Sequence, residues 1–143
     1  MNEQDNGEKI VVALNKQLEP GRAINAATHA MLGLAAASGG SGDLAERLRI
    51  VDYRTVDANG FLASAMPLIV LRAKPGHLKR LLADLRSDEQ QVVAFHSAMT
   101  EGNWREQMAR SAEHSIADLE LYAVATVGKP EVIDPLTKRC SLY

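Results

Sequence analysis

The sequence predicts a single α/β domain in which helices flank a mixed β-sheet. The length of 143 residues and the hydrophobic fraction of 46% are those of one globular core. Short runs rich in β-branched residues alternate with helical patterns in the order β α β β α β α β α, which favours helices packed on a sheet over a sandwich or a bundle. The polar opening MNEQDNGE cannot bury much surface, so we predict a disordered tail at 1–8 and a folded domain at 9–143.

The first two elements are a strand and a long helix. The run KIVVAL at 9–14 predicts a buried strand, because β-branched residues dominate it and a turn-prone stretch follows. Alanine, leucine and methionine favour a helix over 22–37, which the segment SGGSG at 38–42 ends. A glycine-rich segment can cradle a phosphate, but no Lys-Ser/Thr pair follows this one as in a P-loop, so we interpret it as a connector.

The middle of the chain predicts two further strands. Asp43 and Glu46 have the spacing of a capping box and indicate a helical turn before a strand at 49–56. Asn59-Gly60 readily adopts positive φ and predicts a turn at 57–60. The next strand is predicted at 66–73, with Pro67 at the strand entry.

The last third of the chain alternates helices and strands. Four leucines with i, i+3, i+4, i+7 spacing predict an amphipathic helix over 75–86, followed by a short strand at 92–95. Asn103 and Glu106 repeat the capping spacing and open a helix within 101–118, on which Trp104, Met108, Ala112 and Ile116 share one face. The final strand is predicted at 119–127, before a helix that begins at Pro130 and ends irregularly after Pro135.

Composition restricts the class of protein. The formal net charge of -2 disfavours a dedicated nucleic-acid binder and gives no support to a tRNA partner, although a local basic patch remains compatible with it. Cys140 is the single cysteine, which excludes an internal disulfide and a cysteine-based zinc site, and His77 and His114 lack acidic neighbours at metal-ligand spacing. We therefore expect no metal and no cofactor. Without a signal segment or a membrane-spanning run, we expect a cytoplasmic protein.

The 22–37 helix carries the most informative pattern. Arg22, Asn25 and His29 have i, i+3, i+7 spacing and share one stripe, beside a core stripe made of Ile24, Ala27, Thr28, Met31, Leu34 and Ala35. Free N–H groups and the positive dipole end of a first helical turn attract anionic oxygens, and an arginine adds to that attraction. The alternative is that Arg22 and Asn25 are simply solvated and that His29 is half-buried against a carbonyl oxygen.

Two stretches of the chain resemble known families. The run KIVVALNKQLEPGRAINAATHAMLGLAA resembles the opening of the type II peptidyl-tRNA hydrolases, in which a strand and a polar loop ending in Gly precede a helix with Gly-Lys-x-Ala-Ala-Gln-x-x-His-Ala. It resembles more closely a bacterial family of uncharacterised proteins with that fold, through the pattern N-x-x-L-x-x-G-x-A-x-N-x-x-x-H-x-x-x-G-L from Asn15 to Leu34. The end of the chain, LYAVATVGKPEVIDPLTKRCSLY, resembles the final strand and helix of both groups. The resemblance implies the hydrolase fold and a homodimer.

The resemblance also implies candidate site residues. The hydrolases' helix lysine corresponds to Arg22, their glutamine to Ala26 and their loop aspartate to Gln17. Their Asp-Ala-Gly-x-Thr loop corresponds to 96–100, so that the acid becomes His96 while Thr100 is kept. The implied catalytic candidates are Arg22, His29, His96 and Thr100, and the implied substrate-binding candidates are Asn15, Gly21 and Asn25.

Two functions follow from these residues. The first, which we favour, is a small-molecule or peptide binding protein with an anion-friendly groove at the start of the first helix. The second is a hydrolase of an acyl ester or amide such as peptidyl-tRNA, in which Arg22 orients the substrate and His29 or His96 acts as the base. Both require the guanidinium, amide and imidazole groups of the helix to face one cavity.

Overall fold

The computed structural model describes residues 7–39 and 44–143. The predictions for most of the tail, for the Asp43 cap and for most of the SGGSG segment lie outside the described residues. Glu8, at the end of the predicted tail, forms an ion pair with Arg47.

The described elements follow the predicted order with two additional strands. They are β1 (Lys9–Asn15), α1 (Pro20–Gly39), α2 (Leu44–Arg47), β2 (Ile50–Asp52), β3 (Leu62–Ser64), β4 (Leu68–Ala73), α3 (Pro75–Ser87), β5 (Gln91–His96), α4 (Trp104–Ala112), β6 (Leu121–Gly128), α5 (Pro130–Leu136) and β7 (Ser141–Leu142). Short 3-10 turns at Ser97–Met99 and Ile116–Asp118 flank α4. No helix among these elements is long and apolar enough to cross a membrane.

The main sheet has five strands in the order β5-β6-β1-β4-β7. The central strand β1 runs parallel to β4, with Ile10 opposite Leu68, and antiparallel to β6, with Ile10 opposite Val127. The prediction of a mixed sheet is therefore confirmed. Pro67 directly precedes β4, where its carbonyl accepts the N–H of Ile10 at 2.9 Å, which suits a residue that has no N–H of its own.

Helices cover both faces of this sheet. On one face, which we call the α1 face, α1 packs on alternate residues of β1, including Ile10, Val12 and Leu14. On the other, the α3 face, α3 and α5 pack on Val11 and Ala13. The four leucines predicted to form the apolar side of α3 are all buried there, so that prediction is confirmed: Leu78, Leu81, Leu82 and Leu85.

The buried side of α1 differs from the predicted core stripe. Ala23, Ala26 and Ala30 are buried with Leu34, whereas Ile24 is 65% exposed and Thr28 is exposed. Alanine side chains let the helix axis approach the sheet closely, and this packing turns the larger Ile24 away from the core. Arg22, Asn25 and His29 consequently flank the buried stripe on one side, with Ile24 and Thr28 on the other.

The predicted strand at 49–56 is shorter than expected. Only Ile50–Asp52 is extended, and it pairs with β3, which the sequence did not predict, in a separate two-stranded sheet. The Asp52 carboxylate accepts the backbone N–H groups of Gly60 and Phe61 at 3.1 Å, so the predicted turn closes on the strand end. Gly60 has a φ of 89°, which explains the glycine at that position.

The helix predicted within 101–118 is also shorter. The Asn103 side chain accepts the N–H of Glu106 at 3.0 Å, which confirms the predicted cap. The helix ends at Ala112, however, and none of its residues is buried. The predicted apolar face with Trp104 and Met108 is therefore exposed.

Candidate functional site

A groove of about 520 Å³ opens between the start of α1 and the end of β5. We call it the α1 groove, and it is lined by Arg22, Asn25, His29, Phe95, Met99, Thr100 and Gln107. The three polar side chains of the predicted helical stripe therefore face one cavity. A smaller hollow of about 300 Å³ continues from it past Gly33 and Val93, where the absent side chain of the glycine leaves space.

The charge of the α1 groove is positive. None of its lining residues is acidic, and Arg22 forms no ion pair in the described part of the chain. Its guanidinium carbon lies 5.8 Å from the centre of the Tyr122 ring, a cation–π distance that leaves the N–H donors available. Arg22 is exposed, as a group that exchanges ligand must be.

His29 is held by an aromatic partner. Its ring stacks on Phe95 with 4.9 Å between the centroids and an angle of 4° between the planes. Phe95 is buried, and its ring centroid lies 6.3 Å from that of Tyr122. The imidazole therefore stacks on a packed aromatic pair, which restricts its orientation. His29 is exposed, so the structure does not support the alternative of a half-buried histidine bonded to a carbonyl oxygen.

A β-bulge explains why Tyr122 lies beside Arg22. Phe95 pairs with Ala123 of β6, whereas the next residue, His96, pairs with Leu121, so that Tyr122 is the extra residue. In such a bulge the extra residue and its neighbour point to the same side of the sheet. Tyr122 and Ala123 accordingly both pack on the α1 face. No residue type or spacing in the two strands predicts this irregularity.

Thr100 enters the groove from the turn after β5. Its hydroxyl donates to the carbonyl oxygen of Ser97 at 2.9 Å, which fixes the side chain and leaves the oxygen lone pairs free to accept. Arg110 of α4 donates to the carbonyl oxygens of Ala98 and Glu101, both at 3.1 Å, and so attaches α4 to this turn. Gln107 of the same helix also lines the groove, although the sequence does not predict it as a site residue.

Asn15 and Gly21 do not line the α1 groove. The Asn15 side chain is fully buried, where its amide donates to Leu121 O at 3.1 Å and accepts the N–H of Gln17 at 3.0 Å. These bonds connect the end of β1 to the start of β6 and position the loop before α1. Gly21 lies exposed in the first turn of α1, where a Cβ would meet no atom within 4 Å.

His96 is not among the lining residues of the groove either. It follows Phe95 in β5 and its partner Leu121 packs on the α3 face, so strand alternation directs the histidine to the side of the sheet opposite His29. Its Nδ1 atom is buried without a hydrogen-bond partner among the residues that the structure describes, and burial lowers the pKa of the ring below its usual range. Of the four implied catalytic residues, three meet in the groove and His96 is apart from them.

The described residues contain no group of three or more His, Cys, Asp or Glu side chains arranged to hold a metal ion. The donors that meet in the α1 groove are instead a guanidinium, two amides, a hydroxyl and an imidazole. Such a set binds oxygen anions and polar planar groups.

Fold and groove together define a small α/β protein with a mixed sheet and a cationic, partly aromatic cleft beside its first helix. Residues 8–143 match the family described as "Protein of unknown function (DUF2000)", and the chain belongs to that family. Among solved structures it is similar to a protein of unknown function from Agrobacterium tumefaciens strain C58, with 18% identity and a TM-score of 0.82, over 96% of this chain and 98% of that one. At this identity the likeness shows the fold alone. None of the curated proteins matches the chain.

Proposed function

We propose that this protein binds a small ligand carrying a carboxylate or phosphate group in the α1 groove. The observation that supports this proposal most directly is Arg22, a guanidinium without an ion-pair partner in a cleft whose lining has no acid. A guanidinium binds a planar anion such as a carboxylate through two parallel N–H donors. Asn25 on the next turn of α1 adds an amide donor to the same cleft.

The rest of the ligand is expected to be flat or apolar. The stacked rings of His29 and Phe95, with Met99 beside them, form a surface suited to an aromatic or aliphatic group. The volume of about 520 Å³ lies within the range of small-molecule sites. An acylated amino acid or short peptide with a free carboxylate combines these features.

The first prediction concerns Arg22 and can be measured by calorimetric titration with N-acetyl-phenylalanine. We expect wild-type protein to bind this acid and to bind the matching amide, which lacks the charge, at least about tenfold more weakly. Arg22→Ala should weaken binding of the acid by a similar factor and remove the difference between the two probes. Arg86→Ala, an exposed arginine on the opposite face of the sheet, is the matched control and should bind as wild type does. Equal affinity of wild type for acid and amide, or binding of neither, would contradict the proposal.

A second candidate function is hydrolysis of an acyl ester such as peptidyl-tRNA. It is supported by the presence of His29 and Thr100 in the same groove as Arg22, and by the resemblance of 9–36 to the hydrolases. In this reaction His29 would accept a proton from a water whose oxygen attacks the ester carbonyl, and Arg22 would stabilise the oxyanion. The ester C–O bond then breaks, and the tRNA hydroxyl leaves with the proton.

Release of free tRNA from an N-acetylated aminoacyl-tRNA tests this candidate. Turnover that is lost in both Arg22→Ala and His29→Ala, but kept in Arg86→Ala, would establish the enzyme. Absence of turnover at high protein concentration, together with binding of the acid probe, would exclude the hydrolase and support the binding function.

We further propose that the fold is that of the type II peptidyl-tRNA hydrolases. We also propose that the protein acts in the cytoplasm, which is consistent with its single, unpaired cysteine.

We also propose a homodimer formed through the exposed edge of the α1 face. Because α1 lies over β5 and β6, β4 is uncovered there, and Leu68 is 48% exposed beside Leu32 of α1, which is 66% exposed. Together with Val70 and Met31 they line a hollow of about 390 Å³ in which no lining residue is charged. An apolar surface without charges fits the same surface of a second copy, related by a two-fold axis.

The second prediction follows from this surface. Wild-type protein should elute with twice the monomer mass of 15.5 kDa in size-exclusion chromatography with light scattering. Leu32→Glu should give the monomer, because a carboxylate cannot be buried in an apolar contact without a partner. Met108→Glu, an equally exposed apolar residue on α4, serves as the control and should remain dimeric. A monomeric wild type would contradict the proposal.

A further inference from the structure

We propose that a second binding site, for a small ligand carrying a phosphate dianion, lies between α3 and the turn that follows α5. A hollow of about 250 Å³ opens there, and His77, Arg80 and Asp84 of α3 line one side of it. Lys138 and Arg139 line the other side. Because α3 and α5 pack on the α3 face, the sheet separates this hollow from the α1 groove. The inference is thus independent of the proposed function of that groove.

The side chains of α3 reach the hollow because of their spacing. His77, Arg80 and Asp84 stand at i, i+3 and i+7, a single stripe of the helix, while the leucines of α3 occupy the buried stripe. On the other side, the N–H of Thr137 donates to Asp134 O at 3.2 Å and that of Cys140 to Thr137 O at 2.9 Å. These two bonds fold the chain after α5 into a tight turn that brings two consecutive cations to the same hollow.

The side chains around the hollow carry a net positive charge. Arg80, Lys138 and Arg139 face a single carboxylate, that of Asp84, and none of the four forms an ion pair in the described part of the chain. The excess of two positive charges equals the charge of a phosphate dianion. Two guanidinium groups can each donate two parallel N–H groups to its oxygens, and a lysine adds a point charge.

His77 lines the hollow with part of its ring. Its Nδ1 atom is enclosed by protein and has no hydrogen-bond partner among the described residues, so this nitrogen does not face a ligand in the hollow. The phosphate oxygens are therefore expected to bond to Arg80, Lys138 and Arg139. The empty space beyond one phosphate leaves room for a small attached group, so a free phosphate ion and a small phosphate ester share the required chemistry.

Cys140 supplies a local measurement of occupancy, because it is the single cysteine of the chain and lines the hollow. The rate of its alkylation by iodoacetamide is measured with increasing inorganic phosphate, at ionic strength held constant with sodium chloride. We expect phosphate to slow alkylation in a saturable way and acetate, a monoanion, to have little effect. Arg80→Ala and Arg139→Ala should each raise the half-protecting phosphate concentration at least about tenfold, relative to their own phosphate-free rates.

Arg86→Ala is the matched control, because Arg86 lies on the same helix but outside the hollow and should leave protection unchanged. Methyl phosphate distinguishes the two sources: stronger protection than by inorganic phosphate identifies an ester ligand, and weaker protection identifies the free ion. Circular dichroism confirms that the variants remain folded. The proposal is overturned if phosphate gives no protection, if acetate protects as well as phosphate does, or if Arg80→Ala and Arg139→Ala behave like Arg86→Ala.

Discussion

Replacement of Leu34 by alanine is expected to lower the free energy of unfolding by about 4 kcal/mol. Leu34 is 0% exposed and packs from α1 into the cluster on the α1 face, so its removal leaves a cavity between the helix and the sheet. The neighbouring buried residues of α1 are alanines, which cannot move in to fill that space. The loss is therefore expected to be that of a full cavity rather than of a partly relaxed one.

Urea unfolding followed by circular dichroism measures this effect. Met108→Ala is the control: it also shortens a long apolar side chain on a helix, but Met108 is 64% exposed, and we expect a change within about 0.5 kcal/mol. The difference in unfolding free energy between the two variants tests whether Leu34 is enclosed between α1 and the sheet. Similar losses for the two variants would mean that Leu34 is not enclosed as described.

The hydrophobicity of its residues does not by itself decide which side of α1 packs on the sheet. The residue types predict the helix correctly, and Leu34 of the predicted core stripe is buried with Met31 packed beside it, but Ile24 is exposed. The helix instead buries Ala23 and Ala26, because small side chains permit close contact with β1 and β6. Which side of an alanine-rich helix meets a sheet depends on the shape of the sheet surface, and that information is not local to the helix.

Within the candidate site, the predictable part was the stripe on α1. Arg22 and His29 could be placed together because both lie on one helix of known period. His96 could not be placed in the same way. It follows Phe95 in β5, so strand alternation puts it on the other face of the sheet, but which face of β5 meets α1 depends on the pairing of β5 with β6 and on the packing of the helix. The contribution of Gln107 likewise depends on how α4 is attached through Arg110.

Two asparagines that the sequence placed together as ligand contacts are expected to behave differently. Asn15→Ala should lower the free energy of unfolding by about 2 kcal/mol, because it removes a fully buried amide and leaves the Leu121 carbonyl oxygen without its buried donor. The carbonyl of Leu121 loses a donor, and the N–H of Gln17 loses its acceptor. Asn25 is exposed in the α1 groove, and Asn25→Ala should change the free energy of unfolding by no more than about 0.5 kcal/mol.

Binding of N-acetyl-phenylalanine, titrated at a temperature where both variants are fully folded, completes the comparison. Asn25→Ala should weaken binding severalfold, because its amide faces the ligand space directly. Asn15→Ala, measured while folded, should weaken binding less than Asn25→Ala does, because its amide does not line the groove and acts on it only through the loop before α1. A loss of affinity as large as that of Asn25→Ala would contradict this distinction. An Asn15→Ala protein as stable as wild type would contradict the buried hydrogen-bond network itself, since a fully enclosed amide cannot be removed there without loss.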